Sequence, residues 1–498
     1  MIEGILIGLN TALSLKNILM VVMGCFFGTI IGMLPGLGPM TAIALMIPIT
    51  WGFDPATGLI LMAGVYYGAV FGGSTSSILI NAPGVPGTVA TSFDGYPMAQ
   101  QGKAGKALAI AAYSSFAGGT LAAIFLLFAA PSLSKVSLAF RSPDYFALMV
   151  LGLTAVSAFS SKGQFLKAMM MVVLGLMLAS VGQDTLSDIP RFVFNNMNLS
   201  DGISFVLVVM ATFAMSEALT IILKGTDPTR ASKAISLTEL GSIKLDKDET
   251  KKMLKTIPRS SVLGFLIGVL PGAGATIASF LAYGMERNYV SDEEKQKFGK
   301  GSVHGLAAPE TANNAACSGA FVPLLTLGIP GSGTTAVMLG ALLGFGIQPG
   351  PRLYMTNPEI FWSVIMSMYI GMVVLLILNL PLIPYIARIL AVPRTFLIPM
   401  ILFFSVTGIY LMSFNNFDIF LMIGIAVVAT GLRLYKFPMP PLILAFVLGG
   451  LMEENLRRSL LISDGSFSFL WDRPLTAIIL AFTILIVSWQ SYLSIKRS

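Results

Sequence analysis

Charge is scarce in this chain: Asp, Glu, Lys and Arg together make up 11% of its 498 residues, while 55% are hydrophobic and the mean hydropathy is +0.82. A soluble domain needs a charged surface, and this composition excludes one. Histidine occurs once, at His304, and a lone imidazole makes no metal site. Cysteine occurs twice, at Cys25 and Cys317, far apart in apolar segments. That rules out a disulfide framework and suits small buried packing residues. No HExxH and no paired intramembrane aspartate motif is present. Met1 to Lys16 has a hydrophobic stretch without a basic start or a small-residue cleavage site, and reads as mature protein. The formal net charge of +7 sits in short loops, where it orients a membrane protein rather than binding nucleic acid.

What is present are apolar runs along nearly the whole length. A spanning helix needs roughly 20 such residues, so the chain reads as an all-α polytopic membrane protein with about ten to twelve spans. The polar stretch from Lys224 to Arg259, with Lys233, Lys244, Lys247, Lys251, Lys252 and Lys255, is cytoplasmic by the positive-inside tendency. Ile203 to Leu223 is then a span, and Gln183 to Gly202, with only Arg191 basic, lies outside. Lys162 with Lys167, Lys103 with Lys106, Arg388 to Arg394, Arg433 with Lys436, and Lys496 with Arg497 fall inside; Arg457 and Arg458 fit their outer position poorly.

Ser261 to Gly284 could span once, yet both flanks are lysine-rich and Pro271-Gly272-Ala273-Gly274 stands at its centre. Proline removes a donor and glycine disfavours helix, so two half-helices meeting at opened backbone, a re-entrant hairpin, are expected. Opened backbone at membrane depth requires cover by protein or a watery cavity. The same pattern occurs near the N-terminus: GTIIGMLPGLGPMTA (Gly28 to Ala42) and GFLIGVLPGAGATIA (Gly264 to Ala278) agree at eight of fifteen positions. A second pair follows in order, ILINAPGVPGT (Ile78 to Thr88) against LLTLGIPGSGT (Leu324 to Thr334). The basic residues put Phe93 to Lys106, the loop after the second element, inside in one half, and Gly346 to Pro358 outside in the other. The halves are therefore inverted: residues 1–223 form the first repeat, 224–260 a cytoplasmic connector, 261–359 the core of the second repeat, and 360–498 its remaining spans. Inverted repeats with interrupted helices are a recurring secondary-transporter architecture, with substrate and ion held at the breaks. Gly28 with Gly32, and Gly264 with Gly268, also have the spacing of close-packing helix faces.

These stretches, with YYGAVFGGSTSSILINAPG (Tyr66 to Gly84), DGYPMAQQGKAG (Asp94 to Gly105) and HGLAAPETANNAACSGAFVPLLTLGIPGSGTTAVMLGAL (His304 to Leu342), resemble the large permease subunit of the tripartite tricarboxylate transporters, the TctA family. The likeness implies a multi-pass protein of the bacterial inner membrane that imports a small organic carboxylate by cation coupling without ATP. It also implies two partners, a small membrane subunit and a periplasmic solute-binding protein that delivers the cargo. No organic cofactor is implied; the coupling ion is Na+ or H+.

Half-helix N-termini, exposed N–H groups and hydroxyls can hold a carboxylate without arginine. Candidate substrate contacts are Gly36, Gly38, Ser74, Thr75, Ser76 and Asn81 in the first half, and Gly272, Gly274, Gly331, Ser332, Gly333 and Thr334 in the second, with Ser77 and Thr335 adjacent. Candidate cation ligands are Thr41, Thr276, Asn313, Asn314 and Glu310, with Ser279 nearby. Each hydroxyl also has the option of bonding back to its own helix, and the two asparagines that of bracing helices. Glu310 either senses protons or binds the cation, or starts an interfacial helix with the dipole in its favour. Glu217 reads as near-interface, His304 as edge, and Asp94 and Tyr96 as loop structure. Two rivals remain: an anion channel lined by the breaks, and an intramembrane hydrolase using Ser332 and His304.

Overall fold

A computed structural model describes residues 2–34, 37–137, 139–158, 164–184, 189–224, 241–272, 274–386 and 394–495. The chain opens with helices α1 (Ile2–Ala12), α2 (Leu15–Met33), α3 (Gly38–Thr50) and α4 (Pro55–Ile80), then α5 (Val89–Met98) and α6 (Ala104–Ser137). After α7 (Ser142–Ala158) and α8 (Phe165–Ala179) come two short paired strands, β1 (Gly182–Gln183) and β2 (Pro190–Arg191). Helices α9 (Phe205–Val209) and α10 (Ser216–Lys224) are joined by a π-helical stretch at Met210–Met215. The second half contains α11 (Lys247–Val269), α12 (Gly274–Tyr289), α13 (Asp292–Lys295), α14 (Val303–Gly319), α15 (Phe321–Leu327) and α16 (Gly333–Gly344). It continues with α17 (Leu353–Thr356), α18 (Pro358–Asn379), α19 (Ile383–Ile386), α20 (Arg394–Ser413), α21 (Asn416–Leu434), α22 (Pro440–Ile462), α23 (Phe469–Asp472) and α24 (Pro474–Ile495). Six helical segments have the length and apolarity to cross a membrane, and six shorter apolar helices accompany them among the described residues. The all-α polytopic class holds.

Both helices of the first motif pair are broken. Helix α2 stops at Met33 and α3 resumes at Gly38, whose φ is +36°. In the second half α11 stops at Val269, and Gly272 (φ +82°) and Gly274 (φ +63°) turn the chain into α12. A left-handed φ ends a helix, and glycine adopts it without the Cβ penalty. The second pair also breaks: α4 ends on Asn81 (φ 51°) and α15 on Gly328 (φ 68°), both left-handed caps. Matching these caps aligns Pro83-Gly84 with Pro330-Gly331 and gives the first half one extra residue before Thr88. The ungapped sequence pairing is therefore shifted by one.

Glycine sets the close contacts, and sets them twice. A Cβ on Gly28 would fall 2.3 Å from the Val65 carbonyl oxygen, and one on Gly32 2.0 Å from that of Ala69. The counterparts Gly264 and Gly268 would meet the Ala312 and Ala316 oxygens at 2.4 and 2.3 Å. Backbone thus lies on backbone between α2 and α4, and again between α11 and α14. The close-packing reading of these glycines is the one the geometry bears out. Contacts between α4 and α14–α15 descend in opposite order: Tyr66 with Phe321, Tyr67 with Ser318, Ser74 with Glu310, Ile78 with Leu306. Repeat-equivalent helices run antiparallel, as inversion requires.

Polar contacts join segments to which the sequence assigns one side. Lys106 donates to Glu249 at 2.9 Å, Gln101 to the Lys300 carbonyl at 2.8 Å and Lys167 to the Tyr435 carbonyl at 2.8 Å, joining segments all read as cytoplasmic. Asn415 donates to Asn198 at 2.8 Å on the other side. The misfit at Arg457 has a physical cause: it bonds Asp184 and Glu453, and Arg191 bonds Glu453 at 2.8 Å, so its charge is neutralised. One segment reading needs correction. Phe93 to Lys106 is no loop but the end of α5, a turn with Gly102 at φ +75°, and the start of α6. The connector is already helix from Lys247, where Asp246 and Glu249 form a capping box. Lys162, Lys233, Arg388, Lys496 and Arg497 fall outside the described residues.

Replacing Gly32 by Ala is expected to lower stability by about 1–3 kcal/mol through overpacking, read as a lower melting temperature of the detergent-solubilised protein. Gly424→Ala, where a Cβ meets nothing within 4 Å, serves as the control and should leave it unchanged or slightly higher.

Candidate functional site

The breaks converge. In the second half the Gly272 N–H donates to the Gly331 carbonyl at 3.0 Å, and a Cβ on Gly274 would stand 3.9 Å from Ser332 Cβ. The first half reaches the same place through Met40, whose sulfur would lie 2.9 Å from a Cβ on Gly333, and through the Tyr66 phenol, which neighbours Ser332 and Cys317. The reciprocal contact lies across the pseudo-twofold: a Cβ on Gly87 would sit 2.5 Å from Asn313 Oδ1. With α4 residues matching α14–α15 residues 247 positions later, as Asn81 matches Gly328, Tyr66 corresponds to Asn313. Each half thus presents one polar side chain of its central helix to the other half's second break.

Asn313 is fully buried, and neither its Nδ2 nor its Oδ1 has a partner. A primary amide offers two donors and an acceptor, and leaving them unmet in the interior costs free energy. The amide faces the turn that leads into α5, whose N-cap Thr88 makes no side-chain capping bond. The N-cap of α3, Leu37, likewise has no side-chain cap. A buried amide beside a half-helix start can bind an anion through N–H and a cation through C=O.

Glu310 lies in a second polar cluster. It is fully buried, two turns into α14, and receives hydroxyls from Ser115 at 2.7 Å, from Ser74 at 2.8 Å and from Thr91. The interfacial helix-start reading of Glu310 is corrected: α14 begins at Val303, with Ser302 as its cap. Thr75 lines a cavity beside this cluster, with Asn379. Asn314 braces its helix, donating to the Glu310 carbonyl at 3.1 Å while its Oδ1 has no partner.

Other expected residues divide differently. Ser76 and Ser77 bond back to the Gly73 carbonyl at 3.1 and 2.8 Å, and Ser279 to that of Thr276 at 2.8 Å. Ser332 and Thr335 cap α16 reciprocally. Asn81 is the left-handed cap of α4, and Thr41 and Thr334 are buried beside the breaks. Gly38 opens α3 with free space around its Cα, and Gly36 falls outside the described residues. Glu217 pairs with Arg433, which also donates to the Thr212 carbonyl of the π-helical stretch at 2.9 Å. His304 stands at the start of α14 against Thr256 (2.7 Å) and Glu286 (3.1 Å). The length of α14–α15, roughly 35 Å at 1.5 Å per residue, separates it from Ser332, so these two form no dyad. Asp94 is not loop structure but a buried strut: it accepts from the Gly301 and Ser302 N–H groups at 2.9 and 2.7 Å and from Tyr283 at 3.0 Å.

Sequence reasoning missed Thr91, Ser115, Tyr66 and Gly87. Thr91 and Ser115 carry one signal, hydroxyls inside an apolar run, but nothing local ties them to Glu310.

The chain matches the description "Tripartite tricarboxylate transporter TctA family" over residues 18–444. It is 41% identical over 481 residues to an uncharacterized 52.8 kDa protein in the TAR-I ttuC' 3' region of Agrobacterium vitis, covering 97% of this chain and 94% of that one. It is also 41% identical over 224 residues to an uncharacterized protein in the TAR-II ttuC' 3' region of the same organism, covering 45% of this chain and 92% of that one. No solved structure matches it.

Asp94→Ala removes a buried carboxylate and leaves the Gly301 and Ser302 N–H groups and the Tyr283 hydroxyl without their acceptor. It should lower stability by about 1–3 kcal/mol, read by thermal unfolding, with Asp94→Asn losing less.

Proposed function

The chain belongs to the TctA family of tripartite tricarboxylate transporters, and from this premise we propose that it imports a small organic carboxylate by cation-coupled alternating access in the bacterial inner membrane. The cargo arrives from a periplasmic solute-binding protein, and a small membrane subunit completes the permease. The observation that carries this reading is Asn313, an unpaired buried amide set against the Gly87 break of the opposite half. A site shared by two inverted halves opens to one side or the other as they shift against each other. The cargo's charge is met by half-helix starts and the co-transported cation, each half-helix end carrying roughly half an elementary charge.

Counterflow in proteoliposomes, with a panel of di- and tricarboxylates, tests the reading. A carrier accelerates labelled uptake when unlabelled cargo is inside; a channel gives conductance without that acceleration, which would reject the proposal. Asn313→Ala should raise the KM for exchange by about tenfold, the worth of one hydrogen bond to a charged group, at unchanged protein yield. An unaltered KM would remove Asn313 from the site.

A further inference from the structure

Glu310 breaks the symmetry of the two halves. By the 247-residue offset its counterpart is Ala63, and that of its partner Ser74 is Phe321. One half of a duplicated protein therefore carries a buried acid cluster that the other lacks. The carboxylate belongs to α14 of the second half, while its hydroxyl partners belong to α4, α5 and α6 of the first.

No cation faces it. The ionisable groups on the elements packed around α14 are engaged elsewhere or exposed. On α4, Tyr67 meets Ser318 and Tyr66 meets Ser332; on α5, Asp94 meets Gly301, Ser302 and Tyr283, and Tyr96 is partly exposed. On α6, Lys106 meets Glu249 and Tyr113 is exposed; on α11 and α12, Lys252 meets Asp248 and Glu294, Arg259 meets Glu286, Lys247, Lys251 and Lys255 are exposed, and Arg287 and Tyr289 are exposed. On α14 itself His304 meets Glu286 and Cys317 meets Tyr66. A buried carboxylate without a countercharge is costly in its ionised form.

The hydrogen arithmetic suits two states. Ser74 Oγ lies 2.8 Å from Glu310 Oε2 and 3.2 Å from the Val70 carbonyl, yet a hydroxyl has one hydrogen. With Glu310 ionised, Ser74 donates to the carboxylate. With Glu310 protonated, the acid donates to Ser74, which turns its own hydrogen to Val70. Ser115 and Thr91 donate in both states, and at these separations no gap for a metal ion remains between the oxygens. A cavity of about 10 Å³ lined by Ser74, Thr75, Ser115 and Asn379 adjoins the cluster, room for about one water as a proton relay.

We propose that Glu310 is the proton-coupling group of this permease, taking up one proton from the outer side and releasing it inside in each import cycle. Resting on the carboxylate-import reading, this names its cation as H+ rather than Na+. No bond other than O–H changes: the proton leaves water for Glu310 Oε2, and returns to water when the halves shift and expose the cluster to the cytoplasm.

The test compares the wild-type chain with Glu310→Gln, fixed in a neutral form. Infrared difference spectra between acid and alkaline buffer, which need no cargo, should show a buried carboxyl band in the wild type that is missing in E310Q. In proteoliposomes an inward proton gradient of about one pH unit should stimulate wild-type uptake of the best-exchanged carboxylate, with stimulation lost in E310Q. If E310Q does not fold, Thr91→Val serves instead: losing a donor to the charged form should move the band's midpoint up by about one pH unit. Absence of the titrating band, uptake by E310Q that still follows the proton gradient, or sodium-driven uptake lost in E310Q would each overturn the proposal. A wild type that exchanges no carboxylate but shows the band would sink the import reading and leave Glu310 as a proton site.

Discussion

A membrane interior offers no water to satisfy an opened backbone, and this molecule opens its backbone in at least four places. What makes that tolerable is the contact of backbone with backbone. Gly272 bonds Gly331 directly, and Gly28, Gly32, Gly264 and Gly268 bring the helices before each break onto the central helix of the same half. The opened backbone is covered in part by protein: Gly84, Gly87, Gly328 and Gly331 are buried, while Asn81, Pro86 and Leu270 are exposed. Architecture and chemistry share one cause, the absence of side chains at a few positions.

Duplication explains the scaffold and divergence explains the site. Where the halves match, at the glycines and the left-handed caps, they hold geometry. Where they differ, they hold chemistry: Tyr66 stands opposite Asn313 in the repeat, and Ala63 opposite Glu310. One is a phenol engaged with its neighbours, the other an amide with none. The two halves thus hold different polar groups at equivalent positions.

Much of this was legible in the sequence because it is local. Pro271 with Gly272 and Gly274 announces a break, the motif around Gly28 announces its twin, and low charge announces the solvent. The site was legible only in part, since its partners come from distant segments. Asn313 and Glu310 were found as polar residues in an apolar run, but Thr91, Ser115 and Gly87 are ordinary residues until folding brings them to those two. Serines that looked like ligands, Ser76 and Ser77, satisfy their own helix instead, a choice that composition does not reveal. Charge counting failed at Arg457 for a related reason: it weighs a cation without seeing the acids beside it.

The glycine contacts also bear on motion. Carbonyl oxygens resting on α-carbons leave no slack for sliding, because a shift of one residue would drive a side chain into the opposing main chain. Helix α2 is thereby locked to α4, and α11 to α14, as two stiff pairs.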